Sequence, residues 1–156
     1  LALEEAERAG QEGTYPIGAL AVSSDGIILS RGHNRVYSAG DYTAHAEVDT
    51  LRSAGGALMA SSHRGKCTLY TTLEPCLICT GALLMARIAR VVWAANDPDY
   101  GDLHTLYDGG LYPTLFASLL LTATPEPVIT DRVSELMQQW IADPKPQKTD
   151  WAERRE

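Results

Sequence analysis

A chain of 156 residues with 45% apolar content is long enough to bury one substantial core. Thirteen Lys and Arg against 20 Asp and Glu give a formal net charge of -7, the wrong sign for a surface that grips phosphate backbones over a broad area, so nucleic acid is disfavoured as a partner. No apolar run approaches the length of a membrane span, and the opening "LALEEAERAG" is acidic and amphipathic rather than a basic and then apolar leader; a cytoplasmic protein of one domain (1–156), with no membrane partner, is expected.

In chain order, Leu1 to about Ala9 reads as a helix that ends near Gly10 and Gly13. "IGALAV" (Ile17 to Val22) and "IILSR" (Ile27 to Arg31) are short β-type runs joined by "SSDG", a hairpin turn. Thr43 to about Ser53 is helical by its apolar positions Ala44, Val48 and Leu51, and Gly55-Gly56 is expected to close it. "CTLYTTL" (Cys67 to Leu73) is a third strand, rich in β-branched and aromatic residues. Pro75 to about Ala89 follows as a helix with proline at a favoured N-terminal position. "VVWAA" is a fourth strand. Beyond it come a loop rich in Asp, Gly and Tyr, the apolar run "TLFASLLL", a short strand near "EPVIT" and a helix from about Asp131 to Ile141. Strands alternating with helices predict an α/β layered sandwich whose sheet is at least partly parallel.

Three cysteines make an odd set for a disulfide framework, and Cys76 and Cys79 are spaced C-x-x-C, which points to metal or redox chemistry. Three residues apart on a helix, their sulfurs share a face, and the helix N-terminus favours the thiolate form that binds metal. His45, at the start of the earlier helix, completes a His, Cys, Cys set of the borderline-soft type that suits zinc and leaves a fourth position for water. Glu47 is close enough to move protons to and from a group held there, and Ala44 and Ala46 flank the histidine with space for a flat substrate. Alone, an H-x-E is usually surface decoration, and a C-x-x-C is as often a structural half-site. Together, "HAE" and "PCLIC", each at a predicted helix start and the second straight after a strand, match the zinc deaminase signature. Cys67 has no partner at metal spacing and reads as a buried structural thiol; His33, His63 and His104 read as ordinary polar or capping residues.

On these residues the chain resembles the cytidine deaminase superfamily, in the branch that holds fungal-type cytosine deaminase, guanine deaminase and the tRNA adenosine deaminases. "YPIGALAV" resembles the first core strand, "RGHNRVYSAGDYTAHAEVDTL" the first metal segment and "TLYTTLEPCLICTGALLMARI" the second. The nearest resemblance is to cytosine deaminase. It implies a three-layer α/β/α sandwich with a central mixed five-stranded sheet, one Zn2+ per chain on His45, Cys76 and Cys79, and Glu47 as catalytic proton carrier. It also implies that Asn34, eleven residues before His45, bonds the base, with backbone amides around Ala46 and Cys76 holding the intermediate. Residues 142–156 would form a tail or lid in which Trp151 covers the base and Glu153, adjacent to the position that matches the family's acid, takes its amine. The resemblance further implies a homodimer or larger assembly, for which Leu83, Leu84 and Met85 offer apolar surface. Two positions depart from the cytosine deaminase pattern: Asp99 stands where an aromatic covers the base, and Arg154 where an acid takes the amine. The last predicted helix, "DRVSELMQQWI", lacks a basic character suited to tRNA. The expected reaction is therefore hydrolytic deamination of a free nucleobase or nucleoside, cytosine-like first, with a guanine-related purine or triazine as the alternative and tRNA adenosine behind both.

Overall fold

The computed structural model describes residues 1–101, 103–110, 113–123 and 127–143. Its elements are α1 (Ala2–Gln11), β1 (Gly18–Val22), β2 (Ile28–His33), α2 (Val36–Ala39), α3 (Ala46–Met59), β3 (Thr68–Leu73), α4 (Leu77–Met85), β4 (Arg90–Ala95), α5 (Leu103–Asp108), α6 (Pro113–Phe116), β5 (Leu120–Ala123) and α7 (Pro127–Ala142). The strands form one sheet in the order β2-β1-β3-β4-β5. β1 runs antiparallel to both β2 and β3, whereas β3, β4 and β5 are mutually parallel, so the sheet is mixed as expected. The β1–β2 turn uses Gly26 at φ 85°, the left-handed conformation that glycine adopts without steric cost.

Register decides which residues share a face. Gly32 pairs with Ala19, Ala19 with Thr71, and Thr71 with Trp93, so these four line one face in a row across the sheet. That face carries α3 and α4, and its core joins Ala21, Leu69, Val91 and Trp93 to Ala54, Leu58 and Leu83 of the two helices. The opposite face carries α1 and α7, the three-layer arrangement the family resemblance implies. Glycine permits the closest approach on each side. A Cβ on Gly32 would lie 2.4 Å from Thr50 Oγ1 of α3, and one on Gly18 would lie 2.2 Å from the Ala2 carbonyl oxygen of α1.

Gly55 interrupts α3 where its closure is expected: at φ 43°, ψ -120° it leaves the helical conformation, and a separate short helical stretch continues to Met59. Two expectations shift. α4 is shorter than expected at both ends: Pro75 precedes the Cys76 N-cap instead of opening the helix, and Arg87 takes φ 57° just after the Ala86 cap and turns the chain toward β4. The fifth strand lies at Leu120–Ala123 and not near "EPVIT", where α7 begins at Pro127. The free edge of β4 selects the segment that can pair in parallel, from Arg90↔Leu120 to Trp93↔Ala123, and Pro127 suits a first helical position where no N–H partner is needed.

Candidate active site

His45 and Cys76 each occupy the N-cap of a helix, α3 and α4 respectively, with extended backbone and no side-chain cap of their own. Both helices follow strands that end on the same side of the sheet, which brings the two N-termini together. The metal-binding atoms of His45, Cys76 and Cys79 all lie within 4.8 Å of one another, and His45 Nδ1 stands 3.4 Å from Cys76 Sγ. Around a tetrahedral zinc, bonds of about 2.0–2.3 Å place ligand atoms roughly 3.5–4 Å apart, so this set is near the spacing it needs.

Charge within the cluster points the same way. A hydrogen bond from the Cys79 thiol, together with His45 and the Cys79 backbone N–H, pulls Cys76 down to about 4 despite burial. The same pairing with Cys76 raises Cys79 well above the ordinary thiol value, reinforced by burial and by the negative charge of Glu47. His45 is raised chiefly by its hydrogen bond to Cys76. One thiolate is therefore favoured and a second is opposed by its neighbours. A divalent cation among the three ligand atoms removes that opposition, so the group fits one Zn2+ by donor type, spacing and charge.

Glu47 is 4% exposed. Its Oε2 accepts from Cys79 Sγ at 3.1 Å and its Oε1 from Thr71 Oγ1 at 3.0 Å. Burial raises its pKa, with the two hydrogen bonds opposing. Thr71 is a site residue that sequence reasoning missed. The available signal was period two: Thr71 alternates with Leu69 on one face of β3, in the strand leading into the cysteines. Ala46 is fully buried as the first residue of α3. Asn34 is 1% exposed just past β2, and the next residue's N–H donates to the Ala44 carbonyl at 2.8 Å, which ties this segment to the one that carries His45.

The loop after β4 is tied to the second metal segment. Cys76 and Gly101 form an isolated antiparallel bridge, and Asp97 Oδ1 accepts from the Asp99 and Tyr100 N–H groups at 3.0 and 3.1 Å. His104 is more than the ordinary polar residue its sequence context predicts: its Nδ1 contacts the buried carboxylate of Glu74, two residues before Cys76. His33 likewise is buried, between Glu5 and Glu12. Cys67 is buried beside the His63 carbonyl, consistent with a structural thiol. Trp151, Glu153 and Arg154 lie outside the described residues. No helix among the described residues is long and apolar enough to cross a membrane.

Comparison with known proteins gives the same family. A "tRNA-specific adenosine deaminase" of Aquifex aeolicus is 40% identical over 115 residues, 74% of this chain and 75% of that protein. A "cytosine deaminase" of Candida albicans is 37% identical over 111 residues, 71% of this chain and 73% of its own length. Among solved structures, one from work on A-to-I editing by tRNA:A34 deaminases superposes with a TM-score of 0.74 at 34% identity, covering 87% of this chain and 95% of that one. The model of the cytidine and deoxycytidylate deaminase zinc-binding region matches residues 1–95, which contain both the H-A-E and P-C-x-x-C segments; the chain therefore belongs to this family of zinc-dependent deaminases.

Proposed function

We propose that the protein hydrolyses the exocyclic amine of a free nucleobase or nucleoside, cytosine-like first, to a carbonyl with release of ammonia. Zinc bound by His45, Cys76 and Cys79 would supply a Lewis acid that makes water a competent nucleophile near neutral pH. Glu47 takes a proton from the attacking water and delivers it to the ring nitrogen next to the amine-bearing carbon, as the new C–O bond forms. It then carries the second proton to the amino group, the C–N bond breaks with its electron pair on nitrogen, and ammonia leaves. Thr71 holds one oxygen of Glu47 still while the other faces the metal ligands. The first-turn amides of α3, from Ala46 onward, are oriented to stabilise charge on the added oxygen.

The observation that carries the reading is Glu47 itself. A buried carboxylate with a raised pKa, hydrogen-bonded to a metal-ligand thiol, is not needed to hold a metal, and it is suited to passing protons. A net charge of -7 favours a small substrate over tRNA. A second reading, deamination of an adenosine in tRNA, is favoured by the similarity to the tRNA deaminases over most of their length.

A panel of free bases, nucleosides and deacylated tRNA, scored for ammonia release, tests both. Turnover of a free base or nucleoside supports the first reading, and release from tRNA alone replaces it with the second. Of the residues expected to offer an assembly surface, Leu83 is completely buried in the core, but Met85 is exposed (76%) and shares a surface with Met59 (80%), Leu51, Ala86, Arg52, Arg64 and Arg87, which supports assembly as a homodimer or larger. Light scattering should return at least twice the 16.9 kDa chain mass, and a monomer at micromolar concentration would exclude it.

A further inference from the structure

Nothing in the sequence marks Thr14, which lies in the turn between α1 and β1 and is completely buried. Its hydroxyl donates to Asn34 Oδ1 at 2.7 Å, and the same oxygen accepts from the Val36 N–H at 3.0 Å. The Thr14 oxygen in turn accepts from the Tyr37 N–H at 3.3 Å. Backbone N–H groups can only donate, so the atom of Asn34 facing Val36 must be the carbonyl oxygen. The Thr14 hydroxyl, with a lone pair engaged by Tyr37, sends its proton to that same oxygen. Both lone pairs of the amide oxygen are thereby filled, and the chemistry of the neighbours fixes which way round the carboxamide sits. The NH2 group makes no hydrogen bond to any described residue. Thr14 is itself held: its N–H donates to the Ala9 carbonyl at 3.1 Å, and Trp140 Nε1 of α7 reaches the Gly13 carbonyl at 3.5 Å.

We propose that Thr14 is a positioning residue for substrate selection: it pins the Asn34 carbonyl inward, so that the site offers a hydrogen-bond donor alone at this edge. The substrate must then present an acceptor there, either a carbonyl oxygen or an unprotonated ring nitrogen. A base that presents an amino group or a protonated ring nitrogen meets a second donor. The amide cannot turn to suit it without breaking two buried hydrogen bonds and setting its own NH2 against the Val36 N–H. The inference rests on the reading that Asn34 faces the substrate of the deaminase site proposed above.

The test compares zinc-loaded wild type with Thr14→Val, Thr14→Ser and Asn34→Asp, on whichever base or nucleoside the wild type deaminates. Thr14→Val keeps the shape and loses the hydroxyl, and should raise KM about tenfold with kcat within about threefold, the factor one hydrogen bond supplies. Thr14→Ser should restore KM to within about twofold of wild type, because the hydroxyl is the part that acts. Asn34→Asp keeps an oxygen for Val36 and Thr14 and replaces only the NH2, so Tm and zinc content should hold while kcat/KM falls about 10²-fold. Unchanged KM in Thr14→Val, a Ser variant no better than Val, or wild-type turnover by Asn34→Asp would each overturn the proposal. Calorimetric binding of the same bases to the Glu47→Gln variant, with and without Thr14→Val, separates this from the function reading. Equal affinities with and without Thr14→Val overturn the role of Thr14 whether or not the protein turns the base over. A wild type that releases ammonia from no member of the panel while Thr14→Val still weakens binding overturns the function reading alone. Binding of no base at all overturns both.

Discussion

Two clusters of polar side chains, each built around buried acids, sit in this fold, and they differ in whether their charges cancel. Along the β2 edge of the sheet, the carboxylates Glu5 and Glu12 of the α1 segment and Asp49 of α3 are met by His33, Arg8, Arg31 and Arg35: His33 reaches Glu12 at 3.1 Å and Glu5 at 3.6 Å, and Arg35 contacts Asp49. At the N-termini of α3 and α4, two thiols and a carboxylate face one imidazole, and Cys79 and Glu47 are both pushed toward their neutral forms. In the first cluster every carboxylate already faces a basic group. The second is satisfied only by an added cation. Each contains a histidine with nearby acids, so residue types alone do not separate structure from chemistry, and charge balance does.

The sharpest way to break that contrast is to remove a ligand. Cys79→Ala should lose zinc, lose all detectable activity and lower Tm by roughly 10 °C, since about 2–4 °C follows each kcal/mol in a domain of this size and ligand binding is partly folding energy. Cys67→Ala, which removes a buried thiol outside the cluster, should keep one zinc per chain and cost about 1 kcal/mol. Metal analysis and calorimetry on the pair decide it. Zinc retained by Cys79→Ala would dissolve the distinction between the two sites.

Next in size is Glu47→Gln. The amide preserves shape and can still bond Thr71, but it cannot carry a proton, so zinc should stay while turnover falls below about 1% of wild type. Activity above that level, or zinc lost, would remove Glu47 from its assigned role. The balanced cluster should behave in the opposite way. Asp49→Ala strips Arg35 of its partner and the His33 N–H of an acceptor, and should cost about 1–3 kcal/mol of stability by denaturant unfolding while kcat changes by less than about threefold. A large fall in kcat at unchanged zinc content would show that the two clusters communicate.

What was legible in the sequence follows the range over which each interaction acts. His45, Glu47, Cys76 and Cys79 carry ligand and proton chemistry in their own types and in spacings of two and three residues, so the sequence places them at helix starts. Thr71 meets Glu47 across 24 residues, and Thr14 meets Asn34 across 20. The first pairing depends on where α3 crosses the sheet and the second on how β1 and β2 pair, and a threonine in a strand or turn looks like any other until those are fixed. The same holds for His33, which reads in the sequence as an ordinary polar or capping residue and whose neighbours in space are Glu5 and Glu12. The fifth strand was misplaced for a related reason: "EPVIT" has strand composition, but the edge of β4 decided between it and Leu120–Ala123.

The smallest expected effect is also the most direct probe of the balanced cluster. Burial pushes Glu12 up, but a hydrogen bond and charge from His33, a hydrogen bond from Ser38 and the charge of Arg8 outweigh it, and its pKa lies below the ordinary 4.5. A carboxylate whose folded pKa is depressed adds stability that is fully present above its unfolded value and disappears as pH falls through the folded one. The window is therefore below about pH 4.5, on the acid side only. Because Glu12 is partly exposed, the effect is discounted for solvent screening. Wild type should be more stable than Glu12→Gln at pH 6, and the gap should close toward pH 3.5. Acid also protonates the metal ligands in both proteins, which lowers both curves together and leaves their difference intact. A gap that stays constant across that range would mean that Glu12 contributes as a neutral hydrogen-bond acceptor and not as a charge. The balance that distinguishes this cluster from the metal site would then rest on Glu5, Asp49 and the three arginines alone.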